Sequence, residues 1–74
     1  MTLREREDLM RAAAQGRKHV VIVDNAGQTY RGTAREFADW YQTENGYAAL
    51  AFDEDGAGDC RLGSDQILYI ELAR

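Results

Sequence analysis

The sequence predicts a mainly β fold in which an N-terminal helix precedes five short strands that curl into a strongly bent small barrel. Val20–Val23 is an unbroken β-branched run, and the turn residues 25–27 follow it as they do in a β-hairpin. Further short strand-like segments are separated by glycine-containing turns, and the 74 residues include no proline. Continuous strand pairing with tight connections is typical of this pattern.

The helix is predicted over residues 3–15. Thr2 and Glu5 have the spacing of a capping box, in which each side chain accepts a hydrogen bond from the backbone N–H of the other residue. Gly16 suits the position just beyond the helix end. The apolar residues that recur on one side are Leu3, Leu9, Met10, Ala13 and Ala14. Because so short a helix is marginal alone, we expect it to pack against the strands.

Strands one and two are predicted over residues 18–24 and 28–37. The β-branched run in strand one predicts burial on both of its faces. Gly32 lies in the middle of strand two, where a glycine usually marks a bend or a bulge. A long strand bent at a glycine is one way in which a small sheet curls into a barrel, so we expect the bend there.

The remaining strands are predicted over residues 47–52, 59–62 and 66–72. The segment 53–59 is acidic and glycine-rich, and it half resembles a calcium loop. However, Ala57 stands where a third oxygen ligand is needed, and no glutamate occupies the closing position. We therefore expect a solvated hairpin tip and no metal site.

No catalytic constellation is recognisable in the sequence. His19 and Cys60 are the only histidine and the only cysteine, so neither a zinc cluster nor a disulfide can form within the chain. Neither residue has an orienting partner in the pattern, and we predict no enzyme and no cofactor. Without a signal-type or membrane-spanning apolar segment, we expect a single cytoplasmic domain over residues 1–74 that does not bind membranes.

The charge is unevenly distributed along the chain. Residues 1–35 hold seven Lys and Arg against four Asp and Glu, whereas residues 36–74 hold two against nine, a net of −7. Such a segment repels a phosphate backbone and suits a basic protein partner. The alternative is that the acidic residues only keep a small domain soluble.

Trp40 and Tyr41 are adjacent and follow Asp39. In extended geometry one ring would be buried and the other exposed, and an exposed ring beside a carboxylate is a candidate protein contact. The alternative is that both rings cover the end of the barrel. The predicted protein-binding residues are Glu36, Asp39, Trp40, Glu44, Asp53 and Asp55.

Three segments of the chain resemble the Sm-like family: the D-x-x-G turn at 24–27, Tyr30-Arg31-Gly32, and the closing LGSDQILYI at 62–70. Sm proteins carry R-G-x-N before the last strand, and its arginine and asparagine help to hold RNA. This chain has Leu62-Gly63-Ser64-Asp65, with neither residue in register. The resemblance implies an Sm-like or SH3-like small barrel. An RNA-binding alternative would use Tyr30, Arg31 and Arg35 with stacking aromatics.

The chain is more similar to the Rho-binding antiterminator family, which has an Sm-like fold. The residues that carry the resemblance are Asp8-Leu9 with Ala12, Asp24 to Gly27, Gly32-Thr33-Ala34-Arg35-Glu36, and Arg61-Leu62 with Asp65 and Ile67. Members of this family are small acidic proteins that bind the RNA-binding face of the termination factor Rho. The resemblance implies a Rho inhibitor that itself binds RNA weakly or not at all. The alternatives are an Sm-like RNA-binding protein and a domain with no nucleic-acid role.

Overall fold

The computed structural model describes residues 1–73, so Arg74 lies outside the described residues. A single helix and a short 3-10 helix accompany five strands in this part of the chain. In chain order the elements are α1 (Leu3–Gly16), β1 (His19–Asp24), β2 (Thr29–Ala38), the 3-10 helix (Trp40–Gln42), β3 (Ala49–Glu54), β4 (Gly58–Gly63) and β5 (Ile67–Leu72).

The first turn of α1 has the predicted capping box. The Glu5 backbone N–H donates to Thr2 Oγ1 at 3.1 Å, and the Thr2 N–H donates to Glu5 Oε1 at 3.2 Å. The predicted end is one residue early, because Gly16 is still helical and Arg17 adopts the left-handed conformation, at φ 47°. No helix within residues 1–73 is both long enough and apolar enough to cross a membrane.

The five strands form one open antiparallel sheet in the order β4-β3-β2-β1-β5, which confirms the predicted fold class. Helix α1 packs against β2, β3 and β5. Ser64, which is fully buried in the turn between β4 and β5, donates to Glu7 Oε2 at 3.1 Å and so links that turn to the helix. The predicted strand bounds are correct to within about two residues.

The core lies between α1 and the inner face of the sheet. Its largest fully buried side chains include Phe52, Met10, Ile22 and Leu50. Strand β1 alternates between half-buried and buried residues, so the prediction that both of its faces are buried is wrong. Only one face of β1 meets the core, and Val21 and Val23 lie half-buried on the other face.

Gly32 is buried in β2, although no bulge occurs there. The register shifts between Ala34 and Glu36, which makes Arg35 the bulged residue. A Cβ added at Gly32 would overlap the backbone of β3, since it would lie 2.8 Å from the carbonyl carbon of Asp53 and 2.9 Å from the Cα of Glu54. Glycine is therefore needed at this position because two strands approach closely.

Candidate interaction surface

Carboxylates gather on the outer face of the sheet near the β3–β4 hairpin. Asp53 and Asp59 lie directly opposite each other in the β3–β4 ladder, and opposed residues place their side chains on the same face. Glu36 is paired with Ala51, two residues from Asp53, and so shares that face. Asp55 lies in the turn of the same hairpin. All four carboxylate side chains are exposed, and we call Glu36, Asp53, Asp55 and Asp59 the acidic face.

Two side chains, Arg35 and His19, contact the carboxylates of the acidic face. The bulged Arg35 lies between two carboxylates, with Nε 3.3 Å from Asp53 Oδ1 and Nη2 3.1 Å from Asp59 Oδ1. The Arg35 Nε–H makes no hydrogen bond, so its contact with Asp53 is an ion pair only. His19 Nε2 lies 2.8 Å from Asp55 Oδ2. Arg31 and Arg61 lie on the same outer face, because Arg31 is two residues from Thr33 in β2 and Arg61 is paired with Ala51 in β4. The four carboxylates therefore share this face with three guanidinium groups, and its net charge is −1.

Asp39, Trp40 and Glu44 lie elsewhere, in the connection between β2 and β3. Asp39 is six residues beyond Thr33, the partner of Asp53, which is about 20 Å along an extended strand. The Asp39 side chain accepts a hydrogen bond from Arg11 Nη2 at 3.2 Å. The six predicted contact residues therefore form two groups, one on the acidic face and one in this connection.

Trp40 and Tyr41 are both exposed, by 62% and 66%. They are part of a 3-10 helix, and their rings contact each other edge to face at 5.6 Å and 87°. The extended geometry predicted for this pair is wrong, as is the alternative in which both rings cover the barrel end. Adjacent side chains point to opposite faces in a strand, whereas in a helical turn they can point to the same side. Both rings can therefore reach solvent here.

Asp59 belongs to the acidic face but is not among the six predicted contact residues. The signal was available in the spacing of the hairpin. A turn over residues 55–57 makes Asp53 and Asp59 cross-strand partners. Because like charges directly opposite each other repel, such a pair indicates a face with a high density of negative charge.

The residues of the RNA-binding alternative are mostly engaged within the fold. The Tyr30 hydroxyl donates to Asp24 Oδ2 at 2.8 Å, and its ring packs edge-on against Phe52 at 6.2 Å. Arg35 is paired with Asp53 and Asp59, as described above. Arg31 is exposed. The three side chains therefore do not form one open surface that could stack bases and neutralise phosphates.

Asp24 ends β1 as a buried carboxylate that organises the following turn. Its Oδ1 accepts the backbone N–H groups of Ala26 and Gln28, each at 2.9 Å, and its Oδ2 accepts the Tyr30 hydroxyl. These hydrogen bonds, above all the one from Gln28, hold the pKa of Asp24 below its ordinary value. Asp24 borders a cleft of about 270 Å³, but its oxygens are already satisfied by the turn.

Cys60 is half-buried in β4, opposite Phe52. Burial raises the pKa of the thiol, and the nearby Glu54 carboxylate raises it further. Within residues 1–73, no group of three or more His, Cys, Asp or Glu side chains is arranged to hold a metal ion.

No protein-family profile matches the chain, and a search of curated proteins finds no match. Among solved structures, the fold is similar to that of YaeO bound to magnesium from Vibrio cholerae O395. The TM-score is 0.73, and the match covers 90% of this chain and 82% of that one, at 18% sequence identity. At this level of identity the match establishes a shared fold.

Proposed function

We propose that this chain is a small acidic interaction protein that binds the termination factor Rho and covers its RNA-binding face. The observation that carries the proposal is the fold shared with YaeO, taken together with the motifs of this sequence that resemble the Rho-binding antiterminator family. The motifs that resemble the same family lie on that fold in α1, in the β1–β2 turn, in β2, and from β4 into β5.

The acidic face supports the proposal electrostatically. A protein surface that binds RNA is lined with Lys and Arg, because these residues replace the counterions of the phosphates. Carboxylates displayed on a rigid sheet can occupy the positions of those phosphates. Glu36 and Asp59 lie on two different strands of one face, which gives the negative charge an extended, fixed layout.

The direct test is a titration of purified Rho with this protein, repeated at low and at high salt. We expect association at low salt that weakens as salt rises, because the Debye length shortens from about 10 Å at 0.1 M. A parallel titration uses labelled single-stranded RNA in place of Rho. Tight RNA binding without Rho binding would contradict the proposal and favour the Sm-like alternative.

Charge reversal locates the contact. Glu36→Lys combined with Asp55→Lys should slow association with Rho by roughly tenfold, because steering by opposite charges acts mainly on the on-rate. The matched control is Asp8→Lys combined with Asp65→Lys, which changes the net charge equally at two exposed positions in α1 and in the β4–β5 turn. Equal losses in both variants would contradict the placement of the contact on the acidic face.

A further inference from the structure

The connection between β2 and β3 displays an unusual amount of aromatic surface. Trp40, Tyr41 and Tyr47 are 62%, 66% and 44% exposed. Aromatic side chains have large apolar surfaces, and in a small protein they are normally buried in the core. Here Phe52 fills the core while the only tryptophan of the chain faces solvent.

The connection holds these rings in a fixed arrangement. The Gln42 backbone N–H donates to the Asp39 carbonyl at 2.9 Å, and the Asp39 N–H donates back to Gln42 Oε1 at 2.8 Å. The Thr43 hydroxyl donates to the Tyr47 carbonyl at 2.6 Å. Because the backbone is closed by these bonds, the rings are presented without the entropy loss that a flexible loop would suffer on binding.

The charges around the rings select the chemistry of the occupant. Glu44 lies inside the connection and is exposed. Its carboxylate has no ion-pair partner within 4.0 Å in the part of the chain that the structure describes. Carboxylates beside an aromatic face attract a cation and repel a nucleic-acid phosphate.

The molecule itself contains a cation–ring contact at the end of β2, three residues before Trp40. The Arg11 guanidinium lies 4.8 Å from the centre of the Phe37 ring, and it also donates to Asp39. An arginine that combines a ring face with a neighbouring carboxylate is thus already accommodated at this end of β2. Trp40 and Glu44 lie four residues apart in the same connection, which therefore carries both an exposed ring and an exposed carboxylate.

Residues 42–45, which directly follow the two rings in the chain, line a groove of about 490 Å³ whose lining is mostly polar. The lining includes Gln42, Thr43, Glu44, Asn45, Arg61 and Gln66. Amide and hydroxyl groups of this kind can hydrogen-bond to the backbone of an extended polypeptide. Arg61 is the single cation among them, so a basic segment would be positioned toward Glu44 and away from Arg61.

We infer that the Trp40–Tyr41 pair is a receptor for an arginine side chain of a basic polypeptide, whose backbone follows the adjoining groove. This second contact deepens the proposed function, and rests on it where Rho is taken as the source of the arginine. It is separate from the acidic face and would supply specificity for arginine over lysine, because a guanidinium stacks on a ring while pairing with a carboxylate.

The test uses a hexa-arginine peptide and the intrinsic fluorescence of Trp40, which reports only this site because the chain has one tryptophan. We expect saturable quenching by the arginine peptide, weaker quenching by hexa-lysine, and none by an uncharged peptide with citrulline at each position. Tyr41→Ala should weaken binding of the arginine peptide by about fivefold to thirtyfold, the range expected for a cation–π contact. Tyr69→Ala, which alters an exposed ring on β5, should leave binding unchanged.

Equal quenching by the arginine and citrulline peptides, or by an uncharged single-stranded RNA analogue, would overturn the inference. Calorimetry with Trp40→Ala then separates the two proposals. If Rho binds the parent and the Trp40→Ala protein equally, Rho places no arginine at this site, so Rho as the source of the arginine is wrong and the proposed function stands. If Rho does not bind but hexa-arginine does so through Trp40, the proposed function is wrong and the receptor stands.

Discussion

Gly32 shows how the fold can depend on the absence of a side chain. The sequence marks this glycine as special because it interrupts a strand, but the expected bend lies three residues later at Arg35. What the position requires is room for the backbone of β3 at Asp53 and Glu54. Asp53 lies 21 positions from Gly32 in the chain, and a local pattern does not show contacts at that separation, so the sequence marks the glycine as special without showing its role.

We predict that Gly32→Ala destabilises the protein by roughly 1–3 kcal/mol, the usual cost of forcing extra atoms into a packed site. Gly32→Val should cost more, because two further carbons meet the same backbone. Chemical denaturation followed by circular dichroism measures both. Thr33→Ala, at the adjacent outward position, is the control and should cost less; an unchanged midpoint for Gly32→Ala would contradict the close-approach explanation.

The Cys60 thiol is predicted to be incidental to function. Its pKa is raised by burial and by Glu54, so the reactive thiolate is scarce near neutral pH. Cys60→Ser should therefore bind Rho as the parent does, and the parent thiol should react with a disulfide reagent more slowly than free cysteine at pH 8. Loss of binding in a folded Cys60→Ser protein would contradict this prediction.

At the scale of elements, the β1–β2 turn was predictable and the β2–β3 connection was not. Asp24, Asn25 and Gly27 are turn residues whose chemistry acts locally, and the structure adds that the Asp24 side chain ties the turn to Tyr30. The 3-10 helix at Trp40 depends on its own hydrogen bonds through Gln42 and on the Arg11 contact with Asp39. The second of these joins residues 28 positions apart, beyond the reach of a local pattern.

The Asp24 turn should make stability depend on pH in a defined direction. Because the pKa of Asp24 is lower in the folded protein, its ionised carboxylate increases the free energy of unfolding. This contribution is fully present above the unfolded pKa of about 3.9 and is lost as the pH falls through the folded pKa. Asp24→Asn should be less stable than the parent near pH 7, with the difference shrinking toward pH 2. Urea denaturation at both pH values checks this; a constant difference would show that the carboxylate charge is unimportant.

On the scale of the whole molecule, the sequence predicted the fold class, while the distribution of charge needed the sheet register. A count by halves of the chain identifies the acidic segment, yet it does not show that Arg35 from the basic half lies among those carboxylates. Counting charges by halves of the chain also does not distinguish the acidic face from the connection that contains Trp40. Both contain carboxylates, and they differ in where they lie along β2.

Arg35 therefore partly neutralises the acidic face. Replacing it should lower the stability of the protein and at the same time speed its association with Rho. Arg35→Gln should lower the free energy of unfolding by roughly 0.2–1 kcal/mol, since its ion pairs are partly exposed. The same change should speed association with Rho at low salt, because Asp53 and Asp59 then lose the guanidinium that is paired with them. Stopped-flow mixing measures the rate; slower association would show that Arg35 itself contacts the partner.

The central claim is that this protein and RNA compete for the same face of Rho. The most direct measurement is the anisotropy of a labelled single-stranded RNA bound to Rho while this protein is added. We predict that the anisotropy falls to the value of free RNA, and that the Glu36→Lys, Asp55→Lys variant requires a higher concentration than the parent. An anisotropy that stays constant while the protein is bound to Rho, or that rises as a ternary complex forms, would contradict the claim.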